Sequence, residues 1–360
     1  MSPTRIPAAA LLGIAAFALA ACSPEPLPRI AIMTKLEDGS LVGSSEVNAA
    51  RMAIEERGLA GRAIVEAYDD GWAPEKALAA WERLRADGVR FIVTSHVSTC
   101  AVALAERSAG EDVLVMIAGS ATDALSGRDD ENLRIIMDVR GEQAEAASWV
   151  LSRGYTSVLV ARDTDNWAYT EPALAAFQAA LGPGGPSLRV ATLSIGALDA
   201  ASLRGEFARE PFELLYVLVG AHNSAAGGVA QLGRLVEPDC AILFTPWMKT
   251  PAIVETAGDA LRGAFMPAYY PARGRDARVD GYIDGFRRRY GYTPTYISLN
   301  VYAAVNLLLD RFEEGVVSPA AVKASVVGRR VDTPFGPVDF DEYGDARRPL
   351  YVIDDIAGEF

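Results

Sequence analysis

Apolar and polar positions follow two periods along the chain from residue 29 onward. Runs of about five residues filled with apolar side chains, as at 90–94 (Arg-Phe-Ile-Val-Thr) and 113–117 (Val-Leu-Val-Met-Ile), predict strands covered on both faces, the habit of a parallel sheet. Between them lie longer stretches with apolar residues three or four apart. At 45–57 these put Val47, Ala50 and Ile54 on one helical face. Strands are predicted at 29–34, 63–69, 90–94, 113–117, 133–138, 157–161, 188–194, 214–219, 241–245 and 263–266. Helices are predicted at 45–57, 73–87, 100–109, 141–153, 171–181, 278–290 and 297–312. Steady alternation predicts an α/β chain with parallel sheets, and about 340 residues suit two domains.

Two predicted strands run into loops rich in hydroxyls. The first is Ser95-His96-Val97-Ser98-Thr99, and the second is Ala118-Gly119-Ser120-Ala121-Thr122. Ligands of open α/β sheets bind outside the carboxyl ends of the strands. Hydroxyls there, beside the free amides of a starting helix, suit a small anion such as a carboxylate. The competing reading makes Ser98 and Thr122 ordinary helix caps.

The first residues change the picture. Arg5, the apolar run 8–18 and Leu19-Ala20-Ala21-Cys22 read as an export signal over 1–21. The apolar run is shorter than the roughly 20 residues of a membrane span. Its ending resembles the lipobox of bacterial lipoproteins, which makes Cys22 the lipid-bearing first residue of the mature chain. Residues 22–28, with Pro24, Pro26 and Pro28, form a stiff tether. The protein is therefore expected in the periplasm, anchored to a membrane. The net charge of −13 argues against nucleic acid as a partner. Cys100 and Cys240 fall in different halves and are expected to be unbonded.

Catalysis finds little support. The chain has two histidines, no Gly-x-Ser-x-Gly elbow, no phosphate-binding Gly-x-x-x-x-Gly-Lys-Ser/Thr and no zinc-type Cys/His spacing. No cofactor or metal is expected. Asp69 and Asp70, adjacent at a strand end, point oppositely and read as turn residues.

Several short pieces, in order, carry a resemblance. They are Tyr68-Asp69-Asp70-Gly71-Trp72-Ala73-Pro74, Gly88–Val93 with Ser98, Ser120-Ala121-Thr122, Arg289–Pro294 with Tyr302-Ala303-Ala304, and Thr333–Asp341 with Gly344-Asp345. From about Arg29 to Phe360 the chain resembles the type I periplasmic binding proteins of the branched-chain amino acid family, the solute receptors of ABC importers. That resemblance implies two α/β lobes joined by three crossings, near Val139, Pro267 and Val331. Lobe one would hold 29–140 and 268–331, and lobe two 141–267 and 332–360. The implied partners are a small ligand in the cleft and an inner-membrane ABC permease, with the receptor acting as a monomer. A sensory receptor of the same fold is the alternative. The resemblance places Ser98, Ser120, Ala121 and Thr122 at the ligand carboxylate, and Trp167 and His222 at aromatic contacts on lobe two. Trp247 falls where leucine receptors carry a glutamate for the ligand ammonium. The expected ligand is therefore amino-acid-like or an apolar or aromatic carboxylate or amide, with leucine, isoleucine and valine bound weakly or not at all.

Overall fold

The computed structural model describes residues 26–220 and 222–360. The export signal and Cys22 lie outside them. Five strands, β1 (Ile30–Thr34), β2 (Val65–Asp69), β3 (Phe91–Thr94), β4 (Leu114–Ile117) and β5 (Asn132–Arg134), form a parallel sheet in the order β2-β1-β3-β4-β5. Every residue of β1, β3 and β4 is buried. The pleat sorts them between two cores. Ala31, Met33, Ile92, Val115 and Ile117 face Trp81 and Leu84 of the helix Pro74–Ala86 and Leu104 of the helix Ser98–Ser108. Ile30, Ile32, Phe91, Val93 and Met116 face the other way, toward the helices Leu41–Glu56 and Tyr296–Glu313, which pack on each other.

In the second sheet β6 (Ser157–Asp163), β7 (Ser187–Leu193), β8 (Leu214–Leu218), β9 (Ala241–Phe244) and β10 (Ala264–Ala268) run parallel. Three short antiparallel strands follow later, β11 (Arg330–Val331), β12 (Val338–Phe340) and β13 (Ala346–Arg347). The last strand, β14 (Tyr351–Ile353), closes the second sheet antiparallel to β10, giving β14-β10-β9-β8-β6-β7.

The structure moves two expected boundaries. The run 133–138 is not one strand: it leaves the sheet after Arg134 and becomes the first crossing, ending where the helix Val139–Arg153 starts. Residues 332–347 stay with the first lobe, because Arg134 donates its amide to Gly344 O (2.9 Å) and its guanidinium to Asp345 (2.7 Å). The third crossing therefore falls at 348–350 rather than near Val331.

Arg348 ties the crossings together. Its guanidinium reaches Ile135 O (3.4 Å) on the first and Tyr269 O (3.5 Å) and Tyr270 Oη (3.2 Å) on the second. Cys100 and Cys240 are both buried and free.

Candidate functional site

The two sheets point their carboxyl ends at one another, and the loops that leave those ends enclose a cavity. Lobe one contributes Val42, Trp72, Ser95, His96, Val97, Ser98, Gly119 and Ile297, and lobe two Asn166, Tyr169, Gly220, Trp247 and Thr250. The helices Ser98–Ser108 and Trp167–Leu181 touch across the cleft, so the lobes are closed. The cavity has a volume of about 20 Å³. That is room for one or two waters. A solute as large as an amino acid requires the walls to part, which a hinge at the crossings allows.

The lobe-one wall is held from behind by buried acids. Ser95 Oγ donates to Glu46, which is fully buried; burial pushes its carboxyl up to about 8. His96 Nδ1 lies 3.1 Å from Asp70 Oδ2. Asp70 Oδ1 accepts the Trp72 amide (3.0 Å), while Asp69 Oδ1 accepts those of Gly71 (3.0 Å) and Leu36 (2.8 Å). The Asp69-Asp70 pair is thus turn scaffolding. It holds Trp72 at φ +55°, the one left-handed non-glycine among the described residues. Such strain in a bulky residue costs about 1–3 kcal/mol and persists only where surroundings impose it. Gly119 permits close approach, since a Cβ there would sit 2.6 Å from Ser95 O.

Ser98 is the first residue of its helix and does not cap it: the N-cap is Val97, with no side-chain bond. Its hydroxyl and the helix's first amides, which have no intrahelical acceptor, therefore stand at the cavity.

Lobe two builds its wall from rings. Trp247 packs edge-on to Tyr169 (6.0 Å, 89°) and tilted against Tyr269, at the second crossing, and Tyr296, which begins the lobe-one helix Tyr296–Glu313 (both 6.0 Å). Beneath them Glu142 is fully buried and accepts hydrogen bonds from Tyr169 Oη, Tyr269 Oη (2.9 Å) and Gln143 Nε2 (3.0 Å). Burial raises its carboxyl to about 7. Lys249, between Trp247 and Thr250, pairs with Glu359 near the chain end (2.6 Å). Among the described residues no Asp, Glu, Lys or Arg lines the cavity.

Of the residues expected here, Ser98 and Trp247 line the cavity. The others do not. Ser120 Oγ donates to His96 O (2.6 Å), Ala121 O accepts the Val139 amide (2.7 Å), and Thr122 Oγ1 accepts the Ala124 amide (3.3 Å). These three shape the loop behind the wall. Trp167 is 53% exposed because the helix begins with it; its neighbour Asn166 faces inward instead. His222 is exposed ahead of the helix Asn223–Val236, and Gly220 takes the lining place. Sequence reading missed Trp72, Asn166, Tyr169 and Thr250, all at strand ends or just after them.

Two α/β lobes meeting at the carboxyl ends of their strands, with a neutral cavity between, define a cleft-type solute-binding protein. The chain matches the periplasmic binding protein family over residues 34–354 and belongs to it, as a type I member. The family is non-enzymatic and works in the periplasm with ABC transporters. The Leu/Ile/Val-binding protein BraC3 of Rhizobium johnstonii is 24% identical over 313 residues, 84% of each chain. A leucine-binding protein from Thermotoga maritima superposes with TM-score 0.81 at 18% identity, covering 91% of this chain and 95% of its own. An ABC-transporter solute-binding protein from Rhodopseudomonas palustris, solved with 3,4-dihydroxybenzoic acid, gives 0.80 at 18% identity, covering 91% and 92%.

Proposed function

We propose that this protein is a monomeric, lipid-anchored periplasmic receptor of an ABC importer, and that its cargo is a carboxylate or amide with an aromatic or apolar body. The observation that carries the cargo reading is the neutral wall. A ligand ammonium would have no carboxylate beside it, at a cost of several kcal/mol once desolvated. Glu142, the nearest buried acid behind the rings, already accepts three hydrogen bonds. Neither Asp163 nor Asp165 lines the cavity, and both accept backbone amides, of Asp165 (2.8 Å) and Gly196 (3.0 Å).

Ser98 and the first amides of its helix hold the carboxylate in this reading, and Trp247 covers the apolar body. The Rhodopseudomonas palustris relative carries an aromatic acid on the same fold, whereas BraC3 is named for aliphatic amino acids. The chemistry of the wall sides with the former.

A thermal-shift panel on ligand-stripped protein tests this. Binding at a hundredfold excess over Kd stabilises by about 2.7 kcal/mol, a rise of a few degrees in Tm. Aromatic acids should give that rise, and leucine, isoleucine and valine should not. Micromolar leucine binding overturns the reading. For the anchor, Cys22→Ser should release the protein from the membrane fraction or leave an unprocessed precursor; a cleaved variant that stays on the membrane would refute it.

A further inference from the structure

Four polar atoms of the cavity residues are buried without a hydrogen-bond partner: Trp72 Nε1, Trp247 Nε1, Thr250 Oγ1 and Asn166 Oδ1. Trp247, Thr250 and Asn166 are each more than nine-tenths buried. A buried polar group left unpaired costs about 1–3 kcal/mol, so such groups cluster where something else completes them. Their chemistry is restrictive. An indole N–H can only donate. The two indoles stand on different walls, Trp72 on lobe one and Trp247 on lobe two. Lobe two adds a hydroxyl and a side-chain amide beside its indole, groups that can donate and accept.

We propose that the cavity selects a solute with oxygen at both ends: a carboxylate toward Trp72 and Ser98, and a ring hydroxyl toward Trp247, Thr250 and Asn166. This rests on the aromatic-acid reading above and adds the second oxygen to it. A hydroxyl accepts from the Trp247 indole and donates to the oxygen of Asn166 or Thr250, which completes that wall. A methyl group of equal size leaves all three unpaired, and sites built to bond a hydroxyl reject the analogue lacking it.

The test is calorimetry with benzoate, 4-hydroxybenzoate and 4-methylbenzoate on ligand-stripped full-length mature protein. The wild type should bind 4-hydroxybenzoate at least tenfold tighter than 4-methylbenzoate. In Trp247→Phe, which keeps a ring in the aromatic cluster, and in Thr250→Val, which keeps the shape, that preference should shrink toward unity. Trp72→Phe should weaken all three acids alike, because the carboxylate is common to them. Equal binding of the hydroxy and methyl acids, or a preference that survives both lobe-two variants, overturns the second oxygen while leaving the aromatic-acid reading intact. If none of the three binds, that reading falls and the proposal with it.

Discussion

The two walls of the cleft are built on opposite plans. On lobe one the polar side chains that reach the cavity are mostly spoken for: Ser95 by Glu46, His96 by Asp70, and the loop behind by Ser120 and Thr122. Ser98, the Trp72 indole N–H and the helix amides are what remains open. On lobe two the rings are tightly supported, through Glu142 and the Lys249–Glu359 pair, but Trp247 Nε1, Thr250 Oγ1 and Asn166 Oδ1 beside them have no partner. A wall that is satisfied on its own can anchor a generic group such as a carboxylate. A wall that is incomplete on its own discriminates, because only a solute of matching chemistry completes it.

The strongest way to break this contrast is to remove the central ring. Trp247→Ala should cost about 3–5 kcal/mol of stability, since Tyr169, Tyr269 and Tyr296 lose the ring they pack against. Urea unfolding measures it, and a loss under 1 kcal/mol would mean the ring cluster is not what supports this wall. Ser98→Ala sharpens the other side. Hydrogen bonds to charged groups are worth about 1.5–3 kcal/mol, so affinity for a bound acid should fall about ten- to a hundredfold with Tm unchanged. The reverse result, a lower Tm at full affinity, would return Ser98 to a structural part.

A third comparison uses pH. Glu46 holds its proton up to about 8 when folded, against an ordinary 4.5. The folded state thus binds more protons than the unfolded one between those values. The stability from this group is complete below pH 4.5 and is lost as pH rises through 8, by up to about 1.4 kcal/mol per pH unit. Glu46→Gln should flatten the decline between pH 5 and 8 in denaturant titrations; an unchanged slope would show that the carboxyl ionises freely. The smallest effect is expected behind the wall. Thr122→Ala removes a cap on one short turn and should cost about 1 kcal/mol with affinity unaltered.

Much of this was legible in the chain, for a definite reason. Strands such as Phe91–Thr94 are buried on both faces, so their apolar runs announce them without help from tertiary context. Ser98 was found as a hydroxyl just past a strand end, but the same signal at Ser120 and Thr122 marks residues that turn away from the cavity. Side-chain direction was the obstacle elsewhere. Trp167 attracts attention as an aromatic, yet the helix starting there turns it outward and leaves the plainer Asn166 facing in. The helix Asn223–Val236 is absent from the predicted elements and is rich in glycine. Here Gly227 and Gly233 are packing residues, since a Cβ would come within 2.3 Å of Thr256 Oγ1 and 2.4 Å of Leu215 Cδ2. Trp72 needed the Asp-Asp-Gly turn to be recognised as something that aims the next residue.

The order of the chain through the two lobes has a consequence in time. A ribosome or a translocation pore delivers residues in sequence, yet the helix Tyr296–Glu313, which covers one face of the first sheet, comes after all five parallel strands of the second. Until it arrives, Ile32, Val93 and Met116 have half their cover missing. The second sheet waits longer still, for β14, and its binding loop waits for Glu359. Neither lobe can complete its core early. In a protein that works in the periplasm, this connectivity puts off the completion of both cores until most of the sequence has been delivered.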